Sequence, residues 1–474
     1  MAAPPTLSVA GGAQEDPLDW KFVQSFGDDN SSDDDLVTAV EFDETGQYLA
    51  VGDKAGRICI FEGHQVSSSP HSNKRPVIPL EYKFYTEFQS HEPEFDCLKS
   101  LEIEEKINMI KWGKKMNNGL FLLACNDKTI KYWKVHEKKI KRPARLDGPP
   151  VSMANTPTYL SSDLLNIPKL THHQTITTAT PKRVYSNAHG YHVNSISINS
   201  DGETFISADD LRINLWNLQI ANETFNVVDV KPPNLEELTE VITSATFHPQ
   251  ACSQLIYSSS RGSIRLADLR DSALCDQHAK LFEVEEDPSQ KSFFSEIISS
   301  ISDAQFIGPE GRFILSRDYL TLKVWDVQME SRPLAVIPIH EYLKVHLCDL
   351  YENDCIFDKF EAASSADGSR YVTGSYNNHF VIHHTLSQSN VTIEALKDPP
   401  KRKPRPVKPG APAALKKPDT SPVSANETTP DTPNVNLMDF GKKALHVSYH
   451  PSQHVIAVAG LNKLYIYQAI NANL

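Results

Sequence analysis

No two cysteines stand at Cys-x-x-Cys spacing. The seven cysteines are odd in number and scattered, which argues against a disulfide framework and for reduced thiols. Long apolar runs are missing too. Nothing approaches the ~20 consecutive apolar residues of a membrane helix. The N-terminus has no basic flank followed by an apolar core, so no signal peptide is expected. These absences point to the cytosol, with the nucleus also open, and to no membrane partner. Positive charge is in short supply: the net charge is −13, which speaks against a nucleic-acid footprint. The charge is also uneven: Lys401, Arg402, Lys403, Arg405, Lys408, Lys416 and Lys417 form one basic stretch. The rest of the chain is therefore more acidic than the whole, and suits basic partner surfaces.

The motifs of common enzyme chemistry are absent as well. There is no G-x-S-x-G, no P-loop and no G-x-G-x-x-G. His91-Glu92 and His340-Glu341 open like a zinc-protease helix, but neither Glu is followed three residues on by His. His172-His173 and His383-His384 lack further ligands at metal spacing. Asp209 and Asp210 are adjacent, so their carboxylates point apart and cannot share a proton. A turn-capping Asp beside an exposed Asp is the expected arrangement. Neither catalysis, a metal nor a cofactor is expected.

What the chain does have is repetition. Residues 119–133 and 201–216 follow one plan: an apolar strand, small residues, an Asp-containing turn, then an alternating strand ending in Trp. Seven such units can be traced, with first strands at 37–42, 107–112, 193–198, 243–249, 302–306, 360–364 and 445–451. Each shows three strands of period two and room for a fourth. This predicts an all-β fold, a seven-bladed WD40 β-propeller spanning residues 20–470. Trp133, Trp216 and Trp325 should fill the spaces between blades. Only Trp325-Asp326 keeps the dipeptide that names the repeat. A ring must leave no free edge, so the strand at 20–26 is expected to complete the last blade beside the C-terminal strands.

Ordinary blades need about 40–45 residues, and the surplus here sits in insertions. Residues 62–78 read as a mobile loop, and 89–106 as an ordered acidic-apolar mix. Residues 136–185 are long, with basic and Pro-rich ends. Residues 1–19, and the Pro/Lys/Ser-rich stretch 398–437, read as disordered. Insertions on a rigid scaffold are where binding usually lives.

Several runs are too long to come from the repeat alone: Phe88 to Asp96, Leu98 to Asn108, Asn187 to Asn199, Glu236 to Thr243, Ser292 to Asp303, and Leu350 to Glu361. On these the chain resembles the B-type regulatory subunits of protein phosphatase 2A, over roughly residues 20–135 and 183–470. The resemblance implies a non-catalytic propeller docked on a HEAT-repeat scaffold subunit that also holds the metal-dependent catalytic subunit. It implies a hairpin arm from the second blade, here within 136–185, that grips the scaffold. That segment departs most from the family pattern.

The resemblance also implies an acidic top face with an apolar platform, which receives phosphoprotein substrates and inhibitor proteins through basic or helical docking segments. Matching positions are Phe95, Lys99 and Ser100; Tyr191, His192, Asp210 and Leu211; Glu236, Leu238 and Val241; and Tyr351, Glu352, Asp354, Phe357 and Lys359. Residue chemistry alone favours core positions for Leu211, Val241 and Phe357. Carboxylates suit basic residues beside a phosphosite, and apolar side chains suit one face of a short helix. An alternative is a propeller adaptor of another complex, such as a ubiquitin ligase. Ala267-Asp268-Leu269-Arg270 is loosely similar to the Asp-x-Arg ending of such receptors, without the preceding aromatic.

Overall fold

A computed structural model describes residues 18–28, 32–65, 80–97, 100–143, 170–275, 280–284, 292–308, 310–396 and 438–471. Seven four-stranded antiparallel sheets form the ring. In blades 1 to 6 the strands run from inner to outer in chain order. Blade 7 is made from both ends of the chain: Leu18–Phe26 pairs with Lys463–Asn471 from Leu18 opposite Asn471 to Phe26 opposite Leu464. The predicted propeller and its closing strand are thus present. Leu18 and Asp19, expected to be disordered, belong to that strand, whereas 398–437 lies outside the described residues.

Alternation explains the blades. In each strand, every second side chain faces the neighbouring blade, and the buried clusters accordingly span pairs of blades. Trp133 joins Leu122 and Val135 of blade 2 to Ile58 and Ile60 of blade 1. Trp216 packs on Leu123 and Tyr132 of blade 2, and Trp325 on Ile256 and Ile264 of blade 4. The three tryptophans fill the inter-blade spaces as expected.

Each of three connections between blades crosses to the turn of the blade before. Ile107 N–H donates to the Asp53 carbonyl (3.2 Å), Val193 to Asp127 (2.9 Å) and Ile242 to Asp210 (2.8 Å). The strands expected from residues 107 and 193 begin at Met109 and Ser195, whereas Ile242 opens its strand as well as bonding the seam. The expected loop at 62–78 is likewise shorter, since Arg57–Gln65 is one strand; residues 66–79 lie outside the described ones. The arm is an outgrowth of blade 2. Ile130–Pro143 and Leu170–Tyr185 pair along their length from Ile130 opposite Tyr185 to Pro143 opposite Leu170.

The inner strands line a small central cavity of about 270 Å³ that holds charge. Lys111 Nζ pairs with Glu41 Oε1 at 2.8 Å, and Asp303 accepts the Ala362 N–H at 3.1 Å. Burial, joined by the charge of Glu361, pushes the Asp303 carboxyl up to about 6. Such an acid binds its proton more tightly folded than unfolded. Its contribution to stability therefore falls as pH rises from the ordinary carboxylate value to about 6. Asp303→Asn should consequently stabilise the fold at pH 7.5 by about 1–2 kcal/mol, the low end of such a shift because the cavity opens to water. The gain should vanish near pH 4. Melting curves at both pH values check this, and an equal gain at both would contradict it.

Candidate functional site

In a four-stranded antiparallel blade, the turn between second and third strands and the exit from the outer strand leave by the same end. Most of the residues singled out from sequence lie at such turns and exits, and so share one face of the ring. In blade 3 the turn is built around Asp209, whose Oδ1 accepts the N–H groups of Leu211 (2.8 Å) and Arg212 (2.7 Å). Its Oδ2 faces His189 Nδ1 at 3.0 Å, while His189 Nε2 meets Ser207 Oγ at 2.6 Å, and Trp216 Nε1–H donates to the same hydroxyl at 2.8 Å. Burial opposes ionisation of Asp209, but the His189 bond and the two N–H groups outweigh it and hold the carboxyl below its usual range. With Asp209 committed to the turn, Asp210 is left on the rim. Burial raises the Asp210 carboxyl, while the charge of Lys359 opposes the shift.

Beside this turn a groove of about 670 Å³ runs between blades 4 and 5, lined by Leu238, Ser260, Ile297, Phe357 and Lys359. Its walls are the loops that enter the blades. Asn234 caps a single 3-10 turn, Leu235–Glu237, by accepting the Glu236 N–H at 3.2 Å. The Val241 N–H donates to Ser260 Oγ at 3.1 Å and ties the next residues to blade 4. Opposite stand two short helices, Phe293–Ser299 and Leu347–Glu352. Asp354, in the left-handed region at φ 58°, turns the chain into Cys355–Phe357.

That last loop is pinned from below. The Tyr376 hydroxyl lies 2.7 Å from the Cys355 carbonyl, 3.0 Å from Asp358 Oδ2 and 2.9 Å from the Tyr319 hydroxyl, and Lys443 pairs with Asp358. Above the pin an aromatic shelf faces water. Tyr351 sits edge-on to Phe293 (5.6 Å) and Phe294 (6.0 Å) and tilted to Phe357 (5.8 Å). Phe293 is 68% exposed and Phe357 54%. An apolar shelf and a half-buried carboxylate on one face can hold a short amphipathic segment and a cation it carries.

The chain has relatives among known proteins. A family model for the WD domain, G-beta repeat, matches residues 179–217. A serine/threonine-protein phosphatase 2A regulatory subunit of Dictyostelium discoideum is 51% identical, covering 96% of this chain and 99% of its own length. The B-type regulatory subunit of protein phosphatase PP2A from Schizosaccharomyces pombe is 52% identical over 96% of this chain and 99% of its own. A 55 kDa regulatory subunit of the same phosphatase from Carassius auratus, the B beta isoform, is 51% identical over 92% and 94%. The chain belongs to the family of B-type regulatory subunits of protein phosphatase 2A. The match to the repeat runs from the outer strand of blade 2 through the third strand of blade 3, where Trp216, Ser207, His189 and Asp209 form one hydrogen-bonded chain. In blade 5, Trp325 Nε1–H reaches Ser316 at 3.0 Å, and in blade 2 Trp133 Nε1 has no partner among the described residues.

The structure of this regulatory subunit gathers most, not all, of the positions named from sequence. Leu238, Phe357 and Lys359 line the groove, and Tyr351 forms the shelf above it. Asp210 feels the charges of Lys359 and His192 across the rim. His192, with Asp127 at 3.1 Å, and Tyr191 are exposed there. Glu236 in its 3-10 turn, Glu352 at the end of its helix and Asp354 just beyond it are exposed, and Val241 is half-buried.

Leu211 departs from a contact role. It is 2% exposed, so it backs the surface rather than forming it, as its strand-end position suggested. Phe95 is exposed on a separate small hairpin, Glu94–Asp96 with Leu101–Ile103. Ser100 turns that hairpin at φ 50°, and Lys99 lies outside the described residues. Asp268 and Arg270 chelate each other at 2.6 Å, so the fragment similar to ligase receptors is an internal pair. The shelf adds Phe293 and Phe294, which were not named as contacts. Two consecutive aromatics opening a one-sided helix were the available signal, since only one of them can turn inward.

Proposed function

We propose that this regulatory subunit works by targeting. It contributes no catalytic group; it holds phosphoprotein substrates beside a metal-dependent catalytic subunit that shares its HEAT-repeat scaffold. The carrying observation is the exposed aromatic shelf together with the half-buried Asp210, which feels the charge of the groove residue Lys359, in a chain of this family. A docking segment with apolar residues on one face and a basic residue beside them would bury its apolar side on Tyr351, Phe293 and Phe357. The carboxylate would receive the cation. Holding the substrate raises its concentration at the catalytic metals, so the rate gain is one of effective concentration. The arm of blade 2, Ile130–Pro143 with Leu170–Tyr185, is the element assigned to the scaffold, which leaves the shelf free.

The test is reconstitution. Full-length chain, scaffold and catalytic subunit should co-elute as one complex. That complex should dephosphorylate a phosphoprotein bearing a basic helical segment with higher kcat/KM than scaffold and catalytic subunit alone. The isolated chain should show no turnover. Failure to co-elute, with the chain folded, would sink the reading.

A further inference from the structure

The face opposite the shelf carries a second groove, larger than the first. It has a volume of about 1060 Å³ and lies between blades 5 and 6. A short outer strand lies in its wall. The outer strand of blade 5, Ala335–Pro338, has four residues, while the outer strands of blades 1 and 3 have ten each. The short strand stops before it covers the seam, so the buried cluster of Ile337, Val324 and Tyr371 opens onto Phe313 and then onto water. Two aliphatic side chains stand at the mouth: Leu334, 48% exposed, and Leu386, 85% exposed. An aliphatic side chain held as far into water as Leu386, beside an apolar trough, is costly surface unless something covers it.

The rim has a sign. Glu310 and Asp367 line it. The nearby cation, Arg312, is already committed, with Nη2 2.7 Å from Asp326 Oδ2. His383 is occupied by Asn390, Nδ1 to Oδ1 at 2.7 Å. The trough is therefore apolar along its floor and negative at its edge. The outer strand Ala335–Pro338 walls it from blade 5, and Tyr371, His383 and Asn390, each from a different strand, wall it from blade 6; an outer strand in the wall favours an extended occupant over a helix about 10–12 Å across.

We infer that this groove is a docking site for an extended peptide segment that carries aliphatic side chains at alternate positions and a lysine or arginine at its end. Alternation places both aliphatics on one side of the segment, toward Phe313 and Leu386. The terminal cation meets Glu310 and Asp367 and sets the direction in which the segment lies. The site is on the face away from the shelf, so a protein could be held there while a phosphosubstrate occupies the first groove.

The probe is a fluorescein-labelled hexapeptide of alternating valine and serine with lysine at both ends; its partner probe has glutamate at both ends. Fluorescence anisotropy is read on the full-length chain, alone and assembled with scaffold and catalytic subunits. The lysine-ended probe should bind saturably in both states, at least tenfold more tightly than the glutamate-ended one. Leu386→Ser should weaken it at least fivefold. Glu310→Lys should narrow or invert the preference between the probes. Both substitutions are at the surface, so melting temperatures should stay within a degree or two of the parent.

Equal binding of the two probes, or indifference to both substitutions, would overturn the assignment. So would loss of scaffold binding in Leu386→Ser, which would make the groove part of that interface. A rise in probe affinity on deleting residues 398–437 would also overturn it, by making the occupant this chain's own basic segment. None of these readouts uses phosphatase activity, so they stand apart from the targeting test.

Discussion

Asp210→Lys should weaken binding of a phosphopeptide with a basic docking segment by about 30-fold or more, with the complex of three subunits still assembling. The reason is placement. Asp209 spends both carboxylate oxygens on its own turn and on His189, so Asp210 is the acid available to a partner. It lies within the field of Lys359, His192 and Lys128. A lysine there removes the carboxylate that faces this group and adds one more cation to it. Truncating one side of a partly desolvated charge pair costs about 2–5 kcal/mol, and reversal adds repulsion. About 2 kcal/mol corresponds to roughly 30-fold in Kd.

The loss should be steepest at low salt, where charge steers encounter, and shallower at high salt. Asp210→Asn, which removes charge without repulsion, should fall between. Anisotropy with the labelled phosphopeptide reads the binding, and size exclusion reads assembly. Loss of scaffold binding in the lysine variant would mean that the site is misplaced.

The second large effect is on stability. Asp209→Ala should cost about 3–5 kcal/mol, because it leaves His189 buried without its partner and frees the Leu211 and Arg212 N–H groups. Asp209→Asn should cost less, since an amide oxygen can still accept from the turn. The pH dependence has a fixed sign. The folded carboxyl lies below its ordinary value, so its contribution is complete at neutral pH. It is lost as pH falls from the ordinary carboxylate range through the lower folded value. The alanine variant should therefore differ most from the parent near neutral pH and least in strong acid. Denaturant titrations at several pH values would show this; a pH-independent difference would assign the loss to packing alone. The same substitution should blunt substrate binding, since the turn presents Asp210.

The ring was legible in the sequence because its signal is redundant. Seven copies of a period-two pattern tolerate several weak ones, and a Trp at a strand end has a single sensible destination between blades. The closing strand could be placed because an unpaired edge is forbidden to a ring. The groove was less legible, for a physical reason. Its residues come from loops of blades 3 to 6 that meet only when the ring closes, so no local periodicity marks them. Asp210, Leu238, Phe357 and Lys359 were named through family resemblance, not through periodicity. Leu211 shows the limit of that route, since a matched position can act from beneath a surface. Phe293 shows the other limit. A solvated aromatic in a helix reads locally as a core residue until Tyr351, far along the chain, is seen to pack beside it.

The closing strand also sets a clock. Leu18–Phe26 is synthesised long before its partner Lys463–Asn471. At ordinary synthesis rates of about 5–20 residues per second, the wait is roughly 20–90 s. Through that time six blades can form in order while the first strand hangs unmatched and the open ring shows two raw edges. A nascent chain of this kind has to be sheltered until its last strand arrives, and damage to either end is felt by the whole circle.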